Sequence, residues 1–129
     1  MEFIELIVVY AAHELALAQE GGVQGLSDGN VLESAVKRAR MRFTYTPLST
    51  VAQLAGAYAF GIVRDRPFID GNKRTAYLVA EALCNLNNWQ LDADDMESVI
   101  IFRALAANEI QEEALAKWFG RHLKRAPLE

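Results

Sequence analysis

Cysteine is almost absent. Cys84 stands alone, so no internal disulfide can form, and the chain suits a reducing compartment. Basic charge is not in excess either. Thirteen Lys and Arg face seventeen Asp and Glu, a net charge of −4, and nothing global argues for nucleic acid. Long apolar runs are missing. The run from Leu6 to Ala12 ends at His13-Glu14 and is too short to span a bilayer. Met1 to Glu5 lack the basic start of a signal peptide. These absences set the expectation of a cytoplasmic protein. There are no repeats, no low-complexity tract and no linker, and 129 residues suffice for one domain with a real core, 1–129, and not for two.

What is present is helical periodicity. Residues 3–19 are apolar on most of their circumference, which predicts a largely buried helix stopped by Gly21-Gly22. Four glycines with Ser27 and Asp28 make 21–29 a loop. Asn30 with Glu33 forms a plausible cap pair for a helix to about Arg40. Residues 41–48, with Phe43, Thr44, Tyr45, Thr46 and Pro47, are the only stretch of β-like composition. Ser49 or Thr50 caps a helix to about Arg64, and Pro67 disfavours helix at Arg66. Another helix runs from near Gly71 to about Leu86, stopped by Asn87-Asn88. Asp94 with Glu97, and Asn108 with Gln111, resemble caps of helices over about 95–106 and 109–124. The expected fold is all-α, a compact bundle of about six helices with short loops.

The chemistry concentrates at residues 66–75, Arg-Pro-Phe-Ile-Asp-Gly-Asn-Lys-Arg-Thr. A helix N-terminus presents unpaired N–H groups and the positive end of the macrodipole. Those of Gly71, Asn72 and Lys73 would point out of the helix that starts there. Gly71 lets a phosphate approach its backbone, and Lys73 and Arg74 add charge, Arg with two donors for phosphate oxygens. Asp70 suits Mg²⁺, which sits between a carboxylate and substrate phosphates. Phe68 is expected to turn inward and anchor the loop. On composition alone a plain alternative stays open: Asp70 as N-cap, Gly71-Asn72 as turn, Lys73-Arg74 as a solvated first turn. Cations in a first turn oppose the dipole, and two of them there point to a bound anion.

These residues resemble the Fic/Doc family, whose signature is His-x-Phe-x-(Asp/Glu)-(Gly/Ala)-Asn-(Gly/Lys)-Arg between two core helices. Phe68, Asp70, Gly71, Asn72, Lys73 and Arg74 match it. His13-Glu14-Leu15, Gly21-Gly22, Gly25-Leu26, Leu32-Glu33-Ser34-Ala35 and the chain length are similar to the short Doc ("death on curing") branch. The resemblance implies the Fic fold and a toxin of a toxin–antitoxin pair. It implies ATP and Mg²⁺, with Asp70 on the metal, Asn72, Lys73 and Arg74 gripping phosphates, and Gly71 supplying a backbone N–H. Fic relatives mostly transfer AMP to a protein hydroxyl. Doc-type members, with Lys where the others have a second Gly, pass the γ-phosphoryl of ATP to a threonine of elongation factor Tu and stop translation. Lys73 is that residue here. Segment 43–47 falls where the family places a flap that aligns the target chain. The implied antitoxin carries a disordered segment that folds as a helix on the toxin.

The departure is at the first signature position. The family has a histidine that takes the proton of the attacking hydroxyl, and this chain has Arg66. A guanidinium has no acceptor lone pair and cannot be that base. His13 reads as structural or partner-facing, and His122, near Lys124 and Arg125, as exposed. Three explanations stay open: an inactivated copy of a histidine-bearing toxin, a natural pseudo-enzyme that still binds nucleotide or antitoxin, or an active variant with another base.

Other features read plainly. Arg38, Arg40 and Arg42 form a solvated helix end rather than a dock for an acidic segment. Arg64, two residues before the motif, is in range of a phosphate or the target, though that is not the favoured reading. Asp92, Asp94 and Asp95 lack the glycine spacing of a calcium loop and read as capping. Gly21, Gly22 and Gly25 follow no strand, so no dinucleotide fold is implied. Cys84, Trp89 and Trp118 read as packing residues.

Overall fold

Six α-helices and one two-stranded ribbon make up the described chain, residues 1–45 and 49–127 of a computed structural model. The helices are α1 (Leu6–Glu20), α2 (Gly29–Tyr45), α3 (Val51–Asp65), α4 (Asn72–Leu86), α5 (Asp95–Ala106) and α6 (Glu112–His122). The strands β1 (Trp89–Leu91) and β2 (Leu123–Arg125) pair antiparallel, Gln90 opposite Lys124. The all-α expectation holds. No described helix is long and apolar enough to cross a membrane.

Helix α3 is the axis of the molecule. It packs on α2, α4 and α6, and nine of its fifteen residues are buried. Its composition makes this possible. Ala55, Ala57 and Ala59 leave little side chain between backbones, and a Cβ on Gly56 would stand 3.1 Å from Ala116 Cβ and 3.2 Å from its backbone. Larger residues there would hold α6 away. Leu54, Tyr58 and Ile62 fill the core, and the Tyr58 hydroxyl accepts the Ile4 N–H at 3.0 Å. Burial raises the Tyr58 phenol above its ordinary value.

Several expectations need correction. Helix α1 is not largely buried. Val9, Ala12, His13 and Ala16 face the core, while Ile7, Tyr10 and Leu15 stay exposed. Helix α2 continues through Phe43, Thr44 and Tyr45, so the β-like composition does not produce an extended segment there. Tertiary packing outweighs propensity: the Phe43 ring meets Phe3 edge-on at 5.3 Å, and Thr44 Oγ1 donates back to the Arg40 carbonyl. The remainder of the expected flap, Thr46 and Pro47, lies outside the described residues. Asp28, not Asn30, begins α2, its carboxylate accepting the Asn30 N–H. Asn108 and Gln111 hydrogen-bond each other and α6 starts only at Glu112. The last helix stops at His122 because residues 123–125 pair with β1.

The basic cluster is no free helix end. Arg38 and Arg42 both reach Glu112 of α6, at 3.7 and 2.6 Å, and Arg40 lies over the Phe3 ring. His122 is half-buried rather than exposed. It stands between the Trp118 carbonyl and the Glu97 carboxylate, so Glu97 serves this pair while Asp94 alone caps α5. Cys84 and Trp118 are core residues as expected, and Trp89 is half-buried under Arg125.

Candidate functional site

The site begins where α3 ends. Arg66 is its C-cap, in the left-handed region at φ 48°, with its N–H on the Ile62 carbonyl. That conformation is uncommon for a residue with a side chain. The glycine loop holds it. Ser27 Oγ donates to the carbonyls of Arg66 and Pro67 at 2.7 and 3.0 Å, the Ser27 N–H donates to the Pro67 carbonyl, and the Ile69 N–H donates to Gly25. Leu26 and Phe68 form a lone antiparallel bridge. The loop between α1 and α2 is therefore stitched to the signature loop, a pairing no local pattern announces.

Inside the loop, Phe68 turns inward as expected and is 2% exposed. Its ring stacks on His13, centroids 3.8 Å apart and 8° from parallel. Asn72 closes the turn. Its Oδ1 accepts the Phe68 N–H at 3.0 Å and its Nδ2 donates to the Phe68 carbonyl at 2.8 Å. Both ends of a buried amide are thus committed. Asn72 shapes the loop, and it also lines the cavity beside it, with one of its two amide N–H groups outside these two bonds. Gly71 sits at φ 80°, which admits glycine without strain.

Asp70 is exposed, and its Oδ2 accepts the Val23 N–H at 2.9 Å. The glycine loop fits close behind it, since a Cβ on Gly22 would stand 3.1 Å from Asp70 Cβ. On the other side of Gly71, helix α4 starts with no side-chain cap. Its first N–H groups, at Asn72, Lys73 and Arg74, have no carbonyl four residues back within the helix. Lys73 is exposed. Arg74 is half-buried, its Nε donating to Gln19 Oε1 and its guanidinium 5.5 Å from the centre of the Tyr77 ring.

These groups open on one cavity of about 830 Å³. Its floor is Arg66, Asp70, Gly71, Lys73 and Arg74, its near edge Glu20, Gly21 and Gly22, and its far wall Asp95, Ser98, Val99, Phe102 and Arg103 of α5. Arg64 lines it as well, although one of its terminal nitrogens donates to the Ile110 carbonyl. Five cations and three acids line the cavity, an excess of two positive charges in a chain of net charge −4. Burial raises the Tyr77 phenol, partly offset by its hydrogen bond with Ser98, so Tyr77 stays protonated and can donate at neutral pH.

Residues 3–84 match the Fic/DOC family. The chain belongs to that family. The match ends inside α4, so it covers the floor of the cavity and both stitched loops but not the α5 wall. Over 112 residues the chain is 26% identical to "Protein kinase doc" of Escherichia phage P1, covering 86% of this chain and 87% of that protein. The Fic fold expected from the signature is the fold found. As a Fic/DOC chain it brings Arg66, Asp70, Gly71, Asn72, Lys73 and Arg74 together on one cavity, with the Asn72 amide also bonded to the Phe68 backbone. Missed by the sequence reading were the Val23 N–H, the α5 wall and the contact of His13 with the signature loop. Only His13 offered a signal, as one polar residue in the apolar run of α1.

Proposed function

We propose that this chain is a single-domain, cytoplasmic Doc-type toxin that binds Mg·ATP in the cavity above α4. The observation that carries this reading is the start of α4: a helix terminus without a cap, flanked by cations, facing a positively lined cavity. A triphosphate supplies there the acceptors that the first-turn N–H groups lack. Gly71 offers an N–H without side-chain obstruction, and Lys73 and Arg74 add charge to phosphate oxygens.

The residues also fit Mg²⁺ in the form it takes beside phosphates. No three His, Cys, Asp or Glu cluster for a metal among the described residues, so the protein's part falls to the exposed Asp70 carboxylate, with phosphate and water completing the shell. When bound, the metal would neutralise charge on the transferring phosphoryl group. Asp70 is held for this by the Val23 N–H.

In its competent form such a chain passes the γ-phosphoryl of ATP to a threonine of elongation factor Tu. The threonine oxygen bonds to phosphorus, ADP leaves, and the hydroxyl proton needs an acceptor. Lys73 and the kinase relative from phage P1 favour phosphoryl over AMP transfer. Arg66 lines the cavity and holds the signature position that carries the family's proton acceptor, and a guanidinium takes no proton. This chain therefore binds nucleotide and turns it over poorly. The second reading is a non-catalytic module that only sequesters nucleotide or antitoxin, and Arg66 is what favours it. An antitoxin segment folding as a helix on the toxin completes the pair.

Calorimetry on the chain clear of antitoxin tests the reading, with Mg·ATP binding expected. No binding up to about millimolar nucleotide, the upper range of ordinary substrate affinities, would overturn it. On a form with histidine at 66, the mass added to the target separates phosphate from AMP.

A further inference from the structure

We propose that His13 is a positioning residue of the nucleotide site: its Nε2–H, donated to the Asp70 carbonyl, and its stack on Phe68 set the turn that aims the Asp70 carboxylate and the first N–H groups of α4 into the cavity. The proposal deepens the nucleotide-binding reading and rests on it for its ligand, but its geometry stands apart.

His13 comes from the middle of α1, fifty-seven residues from Asp70 in sequence. It is 6% exposed, and its Nε2 lies 2.9 Å from the Asp70 carbonyl oxygen. That oxygen can only accept, so Nε2 must carry the proton. The parallel stack on Phe68 then fixes the plane of the ring. Beside it, a Cβ on Gly71 would stand 3.6 and 3.7 Å from two His13 ring atoms and 3.3 Å from Leu17 Cδ2. The imidazole thus touches the signature loop at Phe68 and Asp70 and lines the space that a side chain at position 71 would enter.

Asp70 is consequently held from two sides. Its carbonyl is tied to α1 through His13, and its carboxylate to the glycine loop through the Val23 N–H. A residue that only filled space in α1 would need neither the donor nor its direction. Phenylalanine fills the same space and keeps the stack, but leaves the Asp70 carbonyl free to rotate away. The peptide plane that carries that carbonyl also carries the Gly71 N–H. Turning one turns the other out of the cavity.

The experiment has three arms, run on the full chain free of antitoxin. Long-range nitrogen–proton NMR of the unaltered chain is expected to show His13 protonated on Nε2, and an unprotonated Nε2 would overturn the proposal. His13→Phe is expected to weaken Mg·ATP about tenfold, the effect of one buried hydrogen bond, while His13→Gln, which keeps a donor, stays within about threefold of the parent. Parent-like binding by His13→Phe, or equal loss in both variants, would overturn it. Val9→Ala, a cavity in the same helix, is expected to lower Tm with affinity unchanged; equal loss of affinity there would reduce His13 to a packing residue. If the parent itself binds no Mg·ATP, the functional reading falls. The tautomer, and the shift of the Gly71 and Asn72 amide signals in His13→Phe, then decide the positioning role alone: an altered pair supports it and an unmoved pair overturns it.

Discussion

Helices α3 and α4 are neighbours in the chain and in space, yet they start in opposite ways. Thr50 opens α3 with a full capping box: its hydroxyl accepts the Gln53 N–H and Gln53 accepts the Thr50 N–H. Helix α5 likewise opens on Asp94, with Asp95 and Glu97 in its first turn, and α6 carries Glu112 and Glu113 there. Acids at these starts complement the macrodipole. Helix α4 opens on a left-handed glycine, without a cap, and puts Lys73 and Arg74 where α5 and α6 put acids. The fold can build a self-satisfied helix start and does so elsewhere. At α4 it leaves donors and positive charge without a side-chain cap, facing the cavity.

The sharpest break of this contrast is at Arg66. Arg66→His restores a proton acceptor beside an otherwise complete start of α4, and general-base help is worth about 10²–10⁴ in rate. Transfer to the target is expected to rise by that factor, with growth arrest on expression. Parent-like rates and normal growth would count against the inactivated-toxin explanation. Next is Asn72→Ala, which strands the buried Phe68 N–H and carbonyl and is expected to cost about 2–4 kcal/mol in denaturant unfolding, from two unmet groups.

Lys73→Glu gives the most direct comparison. It places at α4 the kind of residue found at α5 and α6, so the free protein is expected to gain about 0.3–1 kcal/mol while Mg·ATP binding falls at least tenfold. Gain without loss of binding would make Lys73 a solvated first-turn residue and nothing more. Thr50→Ala is the mirror, expected to cost about 1 kcal/mol with affinity untouched. The smallest effect concerns Asp92, whose carboxyl is held below its ordinary value first by its hydrogen bond with Lys124 and then by that ammonium's charge. A depressed folded value adds stability above the unfolded pKa and loses it as pH falls through the folded one. NMR titration is expected to show the depression and Lys124→Ala to remove it.

The signature loop and most helices could be read from the chain because both rest on local rules. Phe68, Asp70 and Gly71 sit at fixed spacing before a periodic helix, and Thr50 announces α3 by its cap. What escaped reading depends on contacts distant in sequence. Phe43 to Tyr45 have strand-like composition, but Phe3, forty residues away, holds Phe43 in a helix. The last helix stops at His122 because Leu123 meets Leu91. Asn72 matched its family position while its amide turned back to Phe68. A pattern identifies such a residue and says little of where its atoms point.

Position 66 is conformationally independent of its side chain. The N–H of Arg66 is spent on Ile62, its carbonyl on Ser27, and its side chain is exposed. Among the described residues, no bond that holds the left-handed backbone uses the guanidinium, and histidine is among the residues that tolerate this region. An exchange at this codon can therefore change the chemistry lining the cavity and leave the scaffold in place. Under the proposed function, one exchange at this position disarms the toxin with the scaffold kept, and the reverse exchange rearms it.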